Sequence, residues 1–143
     1  YRPLNNPFLN IIMENIRKNH ICRTQVKKGK TGTRDLLKLF KENYSVALMI
    51  DQRVSEGISV KFFNREAKTT TIPAQFIKKY GCDIVPVYIE RNQNFNFKLY
   101  FKKPVQFDDQ FTIEEITLKL NEILEKMILK NPDQWIWSHD RWK

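Results

Sequence analysis

The chain has 143 residues, of which 41% are apolar and 13% aromatic, a size and composition that fit one folded domain and exclude a disordered chain. Its longest apolar run, at positions 46–50, has five residues, far short of the roughly 20 that a membrane-spanning helix needs. The net charge is +9, and residues 1–41 carry most of it, with ten basic and two acidic side chains. Such a basic region favours an anionic partner, which composition leaves open between nucleic acid, anionic lipid headgroups and an acidic protein. A solvated face without a partner is the alternative.

Cysteine and histidine give no sign of a metal site or of a disulfide framework. Cys22 and Cys82 lie far apart without CxxC spacing, and neither His20 nor His139 completes a metal-ligand spacing with them. We therefore expect reduced thiols in a cytoplasmic setting, no metal and no cofactor.

Two helices are predicted in the first third of the chain. Asn6 and Pro7 form an N-cap and a first helical position, and apolar residues then recur at helical spacing to about residue 18. Residues 21–32 are polar and basic and include two glycines, so this segment is predicted as a loop. Thr33 is expected to cap a second helix that ends near Glu42.

The apolar run at positions 46–50 predicts a buried central strand, because it is continuous and stops abruptly at Asp51. In open α/β folds the carboxyl end of such a strand borders the ligand site, so Asp51 is a candidate site residue. A turn at residues 53–57 and a second apolar segment at residues 58–63 are expected to follow.

The second half of the chain begins with the patterns of a helix and two strands. The helix covers residues 69–80 and ends at Gly81, a residue type that is favoured just after a helix. A strand follows at residues 84–89, where Pro86 marks an edge or an irregularity. Apolar and polar side chains then alternate at residues 95–102, as in a half-buried strand that is antiparallel to its neighbour.

A capping box formed by Thr112 and Glu115 opens the last helix, which Asn131 and Pro132 end. One apolar stripe runs along this helix at the spacing of a core-facing side. The order of the elements supports a single α/β domain with a mixed sheet.

Several segments, in order, resemble the lipid A late acyltransferases, the lauroyl and myristoyl transferases of Gram-negative bacteria. Residues 1–6, Tyr-Arg-Pro-Leu-Asn-Asn, are similar to a Y-R-P-x-N-N segment of that family, and residues 49–52, Met-Ile-Asp-Gln, match a family strand that ends in Asp-Gln. The closing residues 131–142 fit the pattern N-P-[DE]-Q-W-x-W-x-H-x-R-[WF]. Weaker similarities lie between these motifs, at Arg34, Gly57, residues 62–63, residues 69–71 and residues 81–86.

The resemblance covers essentially all 143 residues and implies a glycerophosphate-acyltransferase-like fold, an α/β domain with a mixed, mainly parallel sheet flanked by helices. One departure concerns catalysis, because the family's general base lies in a His-x4-Asp/Glu motif upstream of the Y-R-P segment. His20 is followed five positions later by Gln25, and His139 is four residues from the last position. We therefore expect residues 1–143 to be the C-terminal part of such a domain, incomplete at its N-terminus, without a catalytic residue and inactive alone.

The resemblance also implies substrate-binding residues, most of which have a plainer alternative. Arg2 aligns with an arginine that meets substrate phosphate, for which a guanidinium fork is suited; a surface arginine is the alternative. Asn5 is expected to hydrogen-bond substrate. Asp51 and Gln52 are expected at the edge of the sheet, and an aspartate that caps a turn is the alternative. Arg141 is expected to reach an acidic group or a phosphate, or else to be a solvated C-terminal arginine.

The aromatic closing segment has two interpretations, between which the sequence does not decide. Trp135, Trp137 and Trp142 fit a membrane interface, where indole rings are favoured. The alternation of Trp135 and Trp137 fits closure of the core equally well.

The activity that the resemblance implies is transfer of a fatty acyl chain from acyl carrier protein to a hydroxyl of a phosphorylated lipid A precursor. This step of lipopolysaccharide biosynthesis takes place at the cytoplasmic face of the cell inner membrane, and the basic residues 1–41 fit an anionic membrane surface, the precursor or the carrier protein. The alternatives are an acyltransferase for another membrane glycolipid or for glycerophosphate, and a catalytically inactive lipid-binding remnant. A nucleic-acid-binding module is disfavoured, because aromatic residues are not interleaved with the basic ones.

Overall fold

The structure, a computed structural model, describes the backbone of residues 1–143 and the side chains of residues 1–29 and 31–143. It divides into two compact units, which we call unit 1 (Tyr1–Ala47) and unit 2 (Leu48–Lys143). Unit 1 contains two α-helices, and unit 2 contains two α-helices and four strands. That residues 1–143 belong to a single domain stays a prediction.

Helix α1 (Pro7–His20) begins where the sequence predicts. The side-chain oxygen of Asn6 accepts hydrogen bonds from the backbone N–H groups of Phe8, at 3.0 Å, and Leu9, at 3.2 Å. Because these bonds satisfy donors that the first turn of a helix leaves without an intrahelical partner, the predicted N-cap is confirmed. Much of the apolar surface of α1 is nevertheless exposed, at Phe8, Leu9, Ile11, Ile12 and Ile16.

Helix α2 (Lys30–Lys41) begins before the predicted cap at Thr33. Gly32 lies in its first turn and is buried against the preceding loop, where an added Cβ would clash with the carbonyl oxygen of Lys27. A glycine at this position allows the loop backbone to approach the helix closely. Gly32 was one of the two glycines that favoured a loop at residues 21–32, but it belongs to helix α2.

The predicted central strand at residues 46–50 is wrong. This segment forms neither helix nor strand, and Leu48 and Met49 are exposed, Met49 at 82%. A continuous apolar run becomes a buried strand when strands on both sides take up its backbone hydrogen bonds. The strands of unit 2 pair in local hairpins instead, and Ile50 is the residue of this run that packs against the core.

The turn predicted at residues 53–57 is confirmed by a hydrogen bond of 2.9 Å from the N–H of Gly57 to the carbonyl oxygen of Val54. Gly57 lies directly against the backbone of Thr69, where an added Cβ would clash. The turn therefore leads the chain tightly into the first hairpin.

Strands β1 (Ile58–Phe62) and β2 (Arg65–Thr69) form an antiparallel hairpin. Strand β1 confirms the apolar segment predicted at residues 58–63, whereas β2 is a polar stretch that the sequence did not predict. The turn between them holds Phe63 and Asn64 at φ values of 48° and 59°. Two consecutive residues in the left-handed region are typical of tight hairpin turns, which are usually recognised in a sequence by Asn-Gly or Asp-Gly. Here the first of the two is a phenylalanine, so the sequence does not predict the turn.

The next three elements follow the predicted order. Helix α3 (Ile72–Tyr80) ends at Gly81, whose φ of 59° confirms the predicted glycine after the helix. Strands β3 (Val87–Arg91) and β4 (Phe97–Phe101) pair antiparallel, as predicted, around a 3₁₀ turn at Gln93–Phe95. The predicted half-burial of β4 is wrong, because its apolar side chains lie on an exposed face.

Helix α4 (Ile113–Ile128) is opened by the predicted capping box. The N–H of Glu115 donates to the hydroxyl of Thr112 at 3.2 Å, and the N–H of Thr112 donates to the carboxylate of Glu115 at 2.8 Å. The chain then leaves the helix through a 3₁₀ turn at Pro132–Gln134, where the sequence predicts its end. Among the helices that the structure describes, none is long and apolar enough to cross a membrane.

The strands form two separate two-stranded antiparallel sheets. The α/β composition is therefore confirmed, but the predicted mixed, mainly parallel sheet is wrong. Each strand reaches its partner through a short turn, which favours antiparallel pairing, whereas parallel strands need a long crossover connection.

Helix α4 carries the core of unit 2 on its apolar stripe. One buried cluster joins α4 to the β1–β2 hairpin and consists of Phe62, Ala67, Leu124 and Ile128. A second buried cluster joins α4 to α3 and consists of Ala74, Ile77, Ile116 and Leu120.

Candidate functional site

The predicted site residues belong to two groups. Arg2 and Asn5 lie in unit 1, before α1, and both are exposed. Asp51, Gln52 and Arg141 lie in unit 2, where Gln52 is exposed, Asp51 is half-buried and Arg141 is buried. Their roles in substrate binding stay predictions.

A polar network centred on Glu14 holds the segment that carries Arg2. One carboxylate oxygen of Glu14 accepts hydrogen bonds from the Tyr1 hydroxyl, at 2.7 Å, and from the Asn10 amide, at 2.8 Å. The same oxygen forms an ion pair of 3.1 Å with Lys27. The hydrogen bond from Tyr1, followed by those from Asn10 and Lys27, lowers the pKa of the Glu14 carboxyl to about 2. Glu14 is therefore ionised at neutral pH and fixes the residue next to Arg2.

Two further contacts hold this segment against α1. The guanidinium of Arg17 lies over the Tyr1 ring, 4.8 Å from its centroid, and the N–H of Leu4 donates to the Asn10 side chain at 2.9 Å. Sequence reasoning gave Asn10 and Glu14 no role, because neither lies in a family motif. Asn10, Glu14 and Arg17 follow one another at intervals of four and three residues on one helix face, and this spacing is the signal that could have shown the network.

In unit 2 the closing segment reaches the turn that follows Asp51. The backbone N–H of Arg53 donates to Nε2 of His139 at 3.3 Å, across 86 residues of sequence. A ring nitrogen accepts only when it is unprotonated, so this imidazole in its neutral form carries its proton on Nδ1. The bond joins the Asp-Gln motif to the closing motif, which the sequence places far apart.

Arg141 is buried, with 0% exposure, so the alternative of a solvated arginine is wrong. Its guanidinium donates to the carbonyl oxygen of Lys68 at 2.6 Å and to the hydroxyl of Thr69 at 2.8 Å, and it lies 5.2 Å from the centre of the Phe62 ring. Burial lowers the pKa of this guanidinium, and the nearby charge of Asp51 acts in the opposite direction. Arg141 therefore fixes β2 from inside, and its charge attracts Asp51.

A second buried polar side chain completes this interior network. The amide of Asn121 donates to the carbonyl oxygen of Lys61 at 2.9 Å and to the Thr69 hydroxyl at 3.2 Å. Asn121 lies within the mainly apolar stripe of α4, which is the sequence signal that could have shown it. The hydroxyl of Thr69 thus connects α4 to Arg141 of the closing motif.

The tryptophans of the closing segment differ in their surroundings. Trp142 stacks on Phe62, with ring centroids 5.7 Å apart, and its indole N–H donates to the Phe62 carbonyl oxygen at 2.9 Å. Trp135 meets the same ring edge-on at 5.8 Å. These two close the core, whereas Trp137 is exposed and donates to the carbonyl oxygen of Pro132 at 2.6 Å.

Two cavities lie apart from the predicted site residues. The larger, about 430 Å³, opens between the β1–β2 hairpin and the start of α4, and its lining includes Glu66, Glu114 and Glu115. Three carboxylates disfavour a phosphate ligand in this cavity. The smaller, about 260 Å³, lies beside α2. No cluster of His, Cys, Asp or Glu that could hold a metal ion occurs in the described part of the chain.

Comparison with known proteins assigns the chain to one family. A family model described as bacterial lipid A biosynthesis acyltransferase matches residues 1–143. No curated protein matches the chain significantly. The match spans both groups of predicted site residues.

Proposed function

Because the chain belongs to the bacterial lipid A biosynthesis acyltransferase family, we propose that it supplies acceptor-binding residues for acyl transfer from acyl carrier protein to a phosphorylated lipid A precursor. Membership of this family indicates acyl transfer in lipid A biosynthesis. The identities of the acyl donor and of the acceptor are what we propose. The match of the family model over residues 1–143 is the observation that carries the proposal.

Arg2 is proposed to bind a phosphate of the acceptor, with Asn5 hydrogen-bonding nearby. The Arg2 side chain is exposed, while the backbone beside it is held through Tyr1 by Glu14, Asn10 and Lys27. A guanidinium offers two parallel donors to a pair of phosphate oxygens, and the held backbone beside it leaves only the side chain to be ordered on binding. The surrounding basic residues raise the local concentration of an anionic ligand.

Asp51 and Gln52 are proposed to line the acceptor pocket. The bond between Arg53 and His139 fixes the backbone after this pair, and the buried charge of Arg141 attracts the Asp51 carboxylate. Gln52 is exposed and can both donate and accept hydrogen bonds. Arg141 enters the proposal through this attraction, which favours the ionised form of the two side chains together.

The reaction requires a general base that removes the proton of the acceptor hydroxyl as this oxygen attacks the thioester carbon of the donor. The family motif His-x4-Asp/Glu is not found at His20, which is followed five positions later by Gln25. The Nε2 atom of His139 already accepts the N–H of Arg53. We therefore propose that residues 1–143, expressed alone, bind the acceptor without transferring an acyl group.

The proposed location is the cytoplasmic face of the inner membrane, where acyl carrier protein and the lipid acceptor meet. Residues 1–41 carry ten basic and two acidic side chains, and α1 exposes apolar side chains next to Arg17 and Lys18. Basic groups beside exposed apolar residues favour an anionic membrane surface, to which each basic group contributes on the order of 1 kcal/mol. The acidic carrier protein is the second proposed partner of this basic region.

An acceptor panel tests the proposed function. The protein as its gene encodes it is incubated with acyl-loaded carrier protein and, in turn, phosphorylated lipid A precursor, glycerol phosphate and a neutral glycolipid, and products are identified by mass spectrometry. We expect acylation of the lipid A precursor. Acylation of glycerol phosphate or the glycolipid alone would place the enzyme in another branch, and binding of the precursor without any transfer would identify an inactive lipid-binding protein.

A further inference from the structure

The β3–β4 hairpin has an apolar face that the described residues leave exposed. Because side chains alternate along a strand and Val87 pairs with Phe101, the odd-numbered residues of both strands share one face. Five of the six residues are apolar and exposed, and together they form what we call the apolar face: Val87, Ile89, Phe97, Leu99 and Phe101. The sixth, Arg91, lies opposite Phe97 and is also exposed. Phe95 lies in the turn at the tip of the hairpin and is 90% exposed.

The opposite face of the hairpin is anchored to the body of unit 2. The hydroxyl of Tyr88 accepts a hydrogen bond of 2.8 Å from the Asn131 side chain. The side chain of Gln134 makes two hydrogen bonds with the backbone of Arg91, at 2.8 Å and 3.0 Å. Anchoring through one face holds the other outward in a fixed orientation, so the exposure of its apolar side chains is a property of the fold.

Basic side chains lie on the opposite face of the hairpin and beyond the end of β4. Lys98 and Lys102 lie over the Tyr100 ring, at 5.0 Å and 5.6 Å from its centroid, and Lys103 follows directly. The side chain of Lys130 is within hydrogen-bonding reach of Lys102 and, being also positive, lowers the pKa of the Lys102 ammonium. In the described part of the chain, no ion pair joins any of these lysines to a carboxylate.

We propose that the β3–β4 hairpin docks on an anionic lipid surface, with Phe95 and the apolar face entering the acyl region and the lysines reaching the headgroups. The inference rests on the proposed function in one respect, that the acceptor is a membrane lipid. An apolar face on one side of the hairpin and flexible basic side chains on the other match the layered polarity of a bilayer, because long lysine side chains extend to the headgroup level. An acidic protein partner would need both carboxylates opposite the basic side chains and an apolar patch that covers the phenylalanines.

Vesicle binding of a phenylalanine variant tests the apolar part of this docking. The chain and its Phe95→Ser/Phe101→Ser variant are sedimented with phosphatidylcholine vesicles that contain phosphatidylglycerol. Both residues are exposed, so the fold should persist, which thermal unfolding checks. We expect the partition coefficient to fall at least tenfold, because two phenylalanine rings no longer transfer from water into the acyl region.

A matched variant shows whether the effect belongs to the hairpin. Met49→Ser removes an apolar side chain that is 82% exposed elsewhere in unit 2, and it should bind vesicles like the unchanged chain. A Met49→Ser loss as large as that of the phenylalanine variant would overturn the proposal, as would wild-type binding by the phenylalanine variant.

The charge of the lipid is tested with Lys98→Gln/Lys102→Gln/Lys103→Gln. This variant should lose at least tenfold in binding to vesicles with phosphatidylglycerol and little in binding to pure phosphatidylcholine, because the lysines act on anionic headgroups. Lys126→Gln, a change of one exposed lysine on α4, should reduce binding by much less. Equal loss on both vesicle types would contradict the role given to the lysines.

Two assays separate this inference from the proposed function. If the hairpin variants lose binding to acidic acyl carrier protein and keep binding to vesicles, the surface serves a protein partner and the docking proposal is wrong. Acyl transfer to a detergent-dispersed acceptor, measured on the protein as its gene encodes it, reports on the reaction without a bilayer. Vesicle binding through the hairpin with no transfer to any acceptor contradicts the proposed function and supports the docking surface.

Discussion

The two units hold their candidate residues by different means. Among the described residues, unit 2 buries ten apolar side chains and places Arg141 inside, where its two terminal nitrogens donate to the Lys68 carbonyl and the Thr69 hydroxyl. Unit 1 buries none of its described apolar side chains, and Arg2 is positioned by a network around Glu14 at the surface. Packing fixes a residue at the cost of sensitivity to every change of volume, whereas a surface network leaves a side chain free to meet a ligand.

The largest contrast between the units is expected for apolar truncation. Phe62→Ala should lower the free energy of unfolding by about 4 kcal/mol, because this ring is fully buried and stacked under Trp142. Ile11→Ala, on the exposed face of α1, should change it by less than about 0.5 kcal/mol. Denaturant titration of both variants measures the difference, and equal effects would show that unit 1 has a core of its own.

The second largest effect on stability is expected from replacing the buried guanidinium of Arg141. Arg141→Met should lower the free energy of unfolding by about 3 kcal/mol, because the Lys68 carbonyl and the Thr69 hydroxyl each lose one charge-assisted hydrogen bond and the Asp51 carboxylate loses its attraction. Arg65→Met is the matched control, since Arg65 is exposed and lies 5.1 Å from the Trp142 ring centre; it should cost less than about 1 kcal/mol. If Arg141→Met is as stable as the control, the interior network does not hold the closing segment.

In unit 1 the expected effect is on activity and not on stability. Arg2→Lys keeps the charge and loses the two-pronged geometry, so kcat/KM for the phosphorylated acceptor should fall about thirtyfold, which corresponds to about 2 kcal/mol. Arg23→Lys, an equally exposed change in the same unit, should leave kcat/KM unchanged. Steady-state assays on the protein as its gene encodes it measure both, and equal values for the two variants would make Arg2 an ordinary surface residue.

The sequence predicted the features that depend on near neighbours. The cap at Asn6, the capping box of Thr112 and Glu115 and the glycine at Gly81 are each built from a few consecutive residues. Their physical cause, the satisfaction of backbone groups at a helix end, is complete within one turn. No tertiary contact is needed to decide them.

The features that depend on distant partners were missed or wrong. The apolar run at residues 46–50 has the composition of a buried strand, but a strand exists only where another strand pairs with it. Strand β2 is the opposite case: its sequence is too polar to predict a strand, but a tight turn brings it beside β1, with which it pairs. Burial of Arg141 follows from contacts 72 and 73 positions away along the chain, which no local pattern reveals.

Asp51 decides whether the turn that follows it belongs to the acceptor site. The measurement is kcat/KM for the phosphorylated acceptor together with the thermal unfolding midpoint of Asp51→Asn, each compared with the unchanged protein. A site role predicts a loss on the order of tenfold, about 1.4 kcal/mol, since the charge is removed and the size is kept. Stability should change little, because asparagine also caps turns well. Full activity in Asp51→Asn would contradict the account and leave this aspartate as a turn cap.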